Sequence, residues 1–204
     1  MIVDIPYDRA VKRKRAKRGD RRRLNLSFAI AKTSDAPAIA ALHNEAAGHL
    51  TRIHGHGPWS GQSSERGVIL SITPPVSGVR RNVTSRVLVA FKPRSRGRII
   101  GTLRLATKKP WAIDVTYFTQ VERALYLTGM AVAPSLQHRG IGRRLLEEAL
   151  HIVRAWPGQS IRLDAYDTSA DGAGAGSFYA RCGFREVGRV VYRSTPLVYF
   201  EMLL

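Results

Sequence analysis

The stretch "ALYLTGMAVAPSLQHRGIGRRLLEEAL", residues 124–150, carries most of the information about the fold. Its first nine residues are apolar and β-branched or aromatic in alternation, which predicts a strand over 124–132 closed by Pro134. After Gly140 the spacing changes. Leu145, Ala149, Ile152, Val153 and Trp156 recur at helical intervals and form one stripe, and Pro157-Gly158 ends the run. Between strand and helix stand Gly140 and Gly142, flanked by Arg139, Arg143 and Arg144. The start of a helix exposes unbonded N–H groups and partial positive charge, so bare backbone and arginines there suit an anion such as a phosphate. The stretch lacks a G-x-x-x-x-G-K-[ST] nucleotide loop and the G-x-G-x-x-G spacing of a dinucleotide fingerprint. Read alone, the two glycines fit an anion site and a plain strand-to-helix turn equally.

Outward from this segment the remaining elements follow. "LNLSFAIAK" begins an alternating strand near Leu24, and Ser34 or Asp35 can cap a helix whose apolar positions include Ile39, Leu42 and Ala46. "HGHGPWSGQSS" (54–64) reads as a loop, followed by helical or irregular sequence to about Ser85. Strands are expected at 86–92 and 97–107, a hairpin, and at 160–166. A glycine-rich run at 172–176 leads into a short helix stopped by Gly183, and two strands, "FREVGRVVYR" and "LVYFEML", close the chain. This order predicts a mixed α/β or α+β domain over residues 24–204.

Composition excludes several classes. The 204 residues suffice for one domain with a sizeable core. Cys182 is the single cysteine, which rules out an intrachain disulfide and a cysteine-based zinc site. No apolar run reaches the length of a membrane span, and the N-terminus has no apolar stretch after its charges. A reducing, cytoplasmic setting is expected. Net charge is +18, of which residues 1–23 hold ten basic side chains against three acidic ones. That segment is expected to be a disordered basic extension, able to bind nucleic acid through phosphates. The body keeps a balance of +11, which favours anionic ligands.

A second segment decides between the two readings of the glycines. "FYARCGF" places Tyr179 on the short helix, one strand downstream of the glycine pair. Together with "MAVAPSLQHRGIGRRLL", which matches V-x-P followed by Q-x-x-G-x-G, the chain resembles the GNAT superfamily of N-acetyltransferases over residues 26–204. The resemblance implies a central mixed, mostly antiparallel sheet flanked by helices, with a splayed strand pair. It implies acetyl-CoA as acetyl donor and an amine as acceptor. The pyrophosphate would lie on the backbone of Gln137, His138, Arg139, Gly140, Ile141, Gly142 and Arg143, and the pantetheine arm would pair with Met130, Ala131 and Val132. Tyr179 matches the tyrosine that protonates the leaving thiolate or positions CoA. A backbone N–H near Met130 or Ala131 would serve the oxyanion.

The base that frees the amine is not legible in the sequence. Tyr126 and Thr128 share one face of the splayed strand by alternation and are candidates to border the acceptor cleft, with Tyr126 taken as a catalytic candidate. His43, Glu45 and His49 lie on the first helix, where such residues are ordinary surface positions. The chain departs from the family at "DTSADGAGAGSFY", which lacks the asparagine that often contacts the CoA arm. His49, His54 and His56 have no acidic cluster at ligand spacing, so a substrate-lining loop with Trp59 as lid is expected rather than a metal site. Cys182 has no histidine partner in view and is read as structural. The competing function is a CoA-binding GNAT-like module that acts as an RNA- or ribosome-associated factor through the basic extension. A body of +11 counts mildly against aminoglycoside or polyamine acceptors.

Overall fold

The computed structural model describes residues 24–73, 84–93, 95, 98–156, 158–167 and 175–204. The basic segment 1–23 and most of the glycine-rich run lie outside the described residues, as do 74–83 in the stretch expected to be helical or irregular. Seven strands form one sheet: β1 (Ser27–Ile30), β2 (Ser85–Phe91), β3 (Ile99–Ala106), β4 (Ala124–Val132), β5 (Ser160–Tyr166), β6 (Arg185–Tyr192) and β7 (Thr195–Leu203). Their order across the sheet is β1-β2-β3-β4-β5-β7-β6. Every pair is antiparallel except β4 with β5. Among the described residues four α-helices cover it: α1 (Ala36–His54), α2 (Glu65–Ile72), α3 (Ile141–Ala155) and α4 (Ala175–Arg181).

The apolar stripe of α3 has the partners its spacing demands. Leu145, Ala149 and Val153 are buried with Leu125, Leu127, Ile161 and Leu163, which alternation puts on one face of β4 and β5. Each of the leucine, isoleucine and valine side chains contributes about 1.5–3 kcal/mol on leaving water. α4 lies on the same face, where Tyr179 stacks against Phe184 and Phe200. α1 and α2 pack on the other face over β2 to β4. The segment between β3 and β4 covers β5 and β7 on that side, forming a second core of Ile113, Phe118, Tyr126, Leu197 and Tyr199.

Two local details differ from the expected capping and turn chemistry. Asp35 does not cap α1 with its side chain; its carboxylate accepts from the Lys32 N–H at 2.8 Å and closes a preceding 3-10 turn. The β6–β7 turn is made by Arg193 and Ser194, both at positive φ (46° and 64°), the backbone twist that a two-residue hairpin requires even without glycine.

One buried ion pair fastens the 107–123 segment to the sheet. Arg162 of β5 lies 3.3 Å from Glu201 of β7, and both are nearly inaccessible to solvent. Glu201 also accepts from the Thr119 N–H at 3.2 Å, while Arg162 donates to the Thr119 carbonyl.

Candidate active site

β4 and β5 are the parallel pair, and their pairing is short. It runs from Ala124 with Ser160 to Tyr126 with Arg162, although β4 continues to Val132 and β5 to Tyr166. The two strands therefore part beyond Tyr126. On its other edge β4 stays paired, Ala131 with Thr102 and Val132 with Gly101. The register slips between Thr102 and Arg104, and Gly129 opposite has φ +57°. An extra residue in β4 thus forms a bulge, and bulges re-aim the backbone where a strand meets a site. Met130, Ala131 and Val132 line the parted edge with backbone that β5 does not use.

The loop from Gln137 to Gly140 carries this edge to the start of α3. Gly140 is the N-cap, with φ +80° and no atom within 4 Å of the position a Cβ would take. The approach to the first unbonded N–H groups of α3 is open, as an anion there requires. His138 and Arg139 are exposed beside it. Gly142 has a different task from the one its spacing suggests. A Cβ there would lie 3.1 Å from Met130 Cε and from Phe178 Cζ, so this glycine lets α3 pack closely on β4 and α4. Ile141 points into the core, leaving only its backbone to the loop. The arginines are also partly committed. Arg143 donates to the Arg181 carbonyl at 2.9 Å and Arg144 to the Leu24 carbonyl at 2.8 Å, which leaves Arg139 as the arginine of the three without such a tie.

Tyr179 stands beneath the parted strands. It is buried, and its hydroxyl donates to Met130 Sδ at 3.7 Å, a weak sulfur acceptor. Burial raises its pKa well above the phenol range, and the nearby Asp164 and Cys182 add to the shift. A phenol so shifted keeps its proton near neutral pH, which makes the hydroxyl a hydrogen-bond donor rather than a base. Tyr126, by contrast, belongs to the paired half of β4 and packs in the second core. It lines a groove of about 560 Å³ with Arg162, Phe118 and Glu122, on the face opposite α3 and α4.

His43 is the residue on α1 that reaches the site. Its Nε2 is 3.2 Å from the Gly129 carbonyl and its Nδ1 is 3.3 Å from Ser63 Oγ. A carbonyl can only accept, so Nε2 carries the proton and Nδ1 accepts from the serine hydroxyl. Burial lowers the His43 pKa, partly offset by the Gly129 carbonyl, which keeps the ring neutral. Asn44 grips the same serine through its backbone, at 2.7 and 3.0 Å. Glu45 is exposed, and among the described residues His49, His54 and His56 form no three-ligand cluster. Trp59 meets His54 edge-on and lies 4.9 Å from the Tyr166 ring at the end of β5. Sequence reasoning missed Asp164 and Tyr166. Alternation in "SIRLDAY" puts Arg162, Asp164 and Tyr166 on one face, the signal that could have found them.

Parted parallel strands, a bulged edge, a glycine-capped helix and a buried tyrosine thus converge around the Met130–Val132 end of β4. The family model "Acetyltransferase (GNAT) family" matches residues 66–184, and the chain belongs to this family. A search of curated proteins finds no match. Solved structures share the fold at low identity. The PaiA N-acetyltransferase of Thermoplasma acidophilum, in complex with coenzyme A, is 16% identical with a TM-score of 0.62, over 88% of this chain and 99% of that one. YncA of Salmonella typhimurium, with its cofactor acetyl-CoA, is 16% identical with a TM-score of 0.61, over 88% and 94%. The ribosomal-protein-alanine N-acetyltransferase of Brucella melitensis is 19% identical with a TM-score of 0.63, over 87% and 99%. Among the described residues no helix is long and apolar enough to cross a membrane.

Proposed function

We propose that residues 24–204 form an N-acetyltransferase unit that moves an acetyl group from acetyl-CoA to a primary amine. The observation that carries the reading is the edge of β4 at Met130–Val132 that β5 does not pair, leading through a short loop to the glycine-capped start of α3. Acetyl-CoA supplies the acetyl group as a thioester, already activated for attack by an amine. The N–H groups of the first turn of α3, from Ile141 to Arg143, hold the pyrophosphate, with Arg139 and His138 beside them and Gln137 at the loop's start. Met130, Ala131 and Val132 bind the pantetheine arm by backbone hydrogen bonds along the edge that β5 leaves free. A backbone N–H at the bulge, at Met130 or Ala131, stabilises charge on the acetyl oxygen. Tyr179 offers its hydroxyl to the thioester sulfur in place of Met130 Sδ, and its raised pKa makes it a hydrogen-bond donor that stays protonated. His43 holds the bulge through Gly129. Tyr126 and Thr128 wall the acceptor side, where the amine enters.

The test is thermal stabilisation of the full chain by acetyl-CoA, beside Arg139→Glu, whose exposed side chain leaves the fold undisturbed. At about 100-fold over its dissociation constant a ligand stabilises by about 2.7 kcal/mol. A shift in the parent that shrinks in the variant supports the loop assignment, and acceptor-dependent release of CoA supports the reaction. A folded parent with no shift refutes the reading.

A further inference from the structure

Among the described residues Asp164 is a carboxylate without a cation partner, in a chain of net charge +18. It sits on β5 two residues past the last residue paired with β4, so Tyr199 of β7 flanks it on one side and the gap lies on the other. Extending the paired register by two residues sets Thr128 across that gap. Asp164 shares its face with Arg162, Tyr166 and Tyr199, the face of α1 and of the 107–123 segment. The cations near it are engaged elsewhere. Arg162 is bound to Glu201 and to the Thr119 carbonyl, and Arg189 holds Asp167 at 2.9 Å and Glu186 at 2.7 Å. Desolvated carboxylates are normally paired. Asp164 has no ion pair among the described residues although the chain is strongly basic, and it stands on the edge of β5 that faces the gap.

We infer that Asp164 is the acceptor's seat, pairing with the ammonium of a primary monoamine and taking its proton. This inference rests on the acetyltransferase reading above. The N–H bond breaks with its electron pair left on nitrogen, and the proton passes to a carboxylate oxygen. The freed pair forms the C–N bond as the C–S bond breaks, the second amine proton goes to sulfur, and the carboxyl proton returns to water. Burial raises the Asp164 pKa from its ordinary value, which narrows its distance from an ammonium near ~10.4. The surroundings also select the amine. Trp59 and Tyr166, in edge contact, offer aromatic walls to an apolar stem, and the next acid in the chain, Asp167, is already held by Arg189. A second cationic nitrogen on the same molecule has no comparable partner on this strand.

The experiment uses the full chain with 2-phenylethylamine as probe, 2-phenylethanol as the uncharged control and spermidine as the polycation, each titrated by calorimetry in the presence of CoA. Asp164→Asn keeps the shape and removes an unpaired, half-buried charge, so its melting temperature should equal or exceed the parent's. It should bind acetyl-CoA as the parent does and lose about thirtyfold or more in affinity for 2-phenylethylamine, the loss expected when a desolvated charge pair is broken. Its residual acetylation should climb steeply with pH between 6 and 9, following the free amine, while the parent's profile is flatter. The charged and titratable groups around Asp164 are Arg162 and Tyr166 on its own face of β5, Tyr199 of β7, Tyr179 of α4 and His43 of α1 at the edge of the gap. Tyr179 and Tyr199 are pushed above their ordinary values and His43 below its own, so these three do not produce that slope. Amine affinity in the variant within threefold of the parent overturns the assignment of Asp164, and spermidine binding more tightly than 2-phenylethylamine overturns the monoamine class. Loss of the parent's own response to acetyl-CoA defeats the acetyltransferase reading instead, which separates the two failures.

Discussion

Replacing Glu201 by glutamine should destabilise the fold strongly. Glu201 is 1% exposed and faces Arg162 at 3.3 Å, itself 5% exposed, so the guanidinium would remain buried with its counter-charge removed. Breaking a buried pair by removing one partner costs about 3–5 kcal/mol. The exposed Arg185, 3.5 Å from the same carboxylate, adds little because water screens it. For a chain of this size each kcal/mol moves the melting temperature by about 2–4 °C, so the expected fall is about 6–20 °C. The double variant Arg162→Met with Glu201→Leu removes both charges and leaves the Thr119 N–H and carbonyl to find water. Each such group costs about 1–3 kcal/mol, offset by better apolar packing. It should therefore be more stable than Glu201→Gln alone. Chemical denaturation of parent, both singles and the double gives the coupling energy directly. A cost below about 1 kcal/mol for Glu201→Gln, or strict additivity of the singles, would refute the claim that this pair fastens the 107–123 segment.

Tyr179→Phe should lower kcat about 10- to 100-fold with a melting temperature within a few degrees, since the lost partner is only Met130 Sδ at 3.7 Å; single-turnover release of CoA is the measurement, and unchanged kcat rejects the donor role. Gly142→Ala puts a methyl 3.1 Å from Met130 Cε and Phe178 Cζ and should cost about 1–3 kcal/mol while loosening the acetyl-CoA site, read together by melting with and without ligand. The lowered His43 pKa carries a sign. The unfolded chain takes up a proton as pH falls below about 6.5 while the folded ring stays neutral. Stability should drop over that window, and His43→Gln should flatten the drop; parallel melting curves for parent and variant from pH 7.5 to 5 would contradict the neutral tautomer.

Local chemistry determined a good part of this protein from the sequence alone. The stripe Leu145, Ala149 and Val153, the glycine before it, the closing hairpin and the tyrosine motif each lie within a few residues of one another, and near-neighbour periodicity and turn chemistry reveal them. The tertiary structure decided what depended on distant pairings. Whether Arg143 and Arg144 were free for an anion turned on carbonyls 38 and 120 residues away. Gly142 serves packing because Phe178 and Met130 converge on it, and His43 matters because a bulge 86 residues later brings the Gly129 carbonyl to its ring. Asp164 reads in the sequence as one polar residue in a strand. Its state, half-buried and without a cation among the described residues, comes from the parting of β4 from β5 and from the prior claims on Arg162 and Arg189, which only the register of the sheet sets.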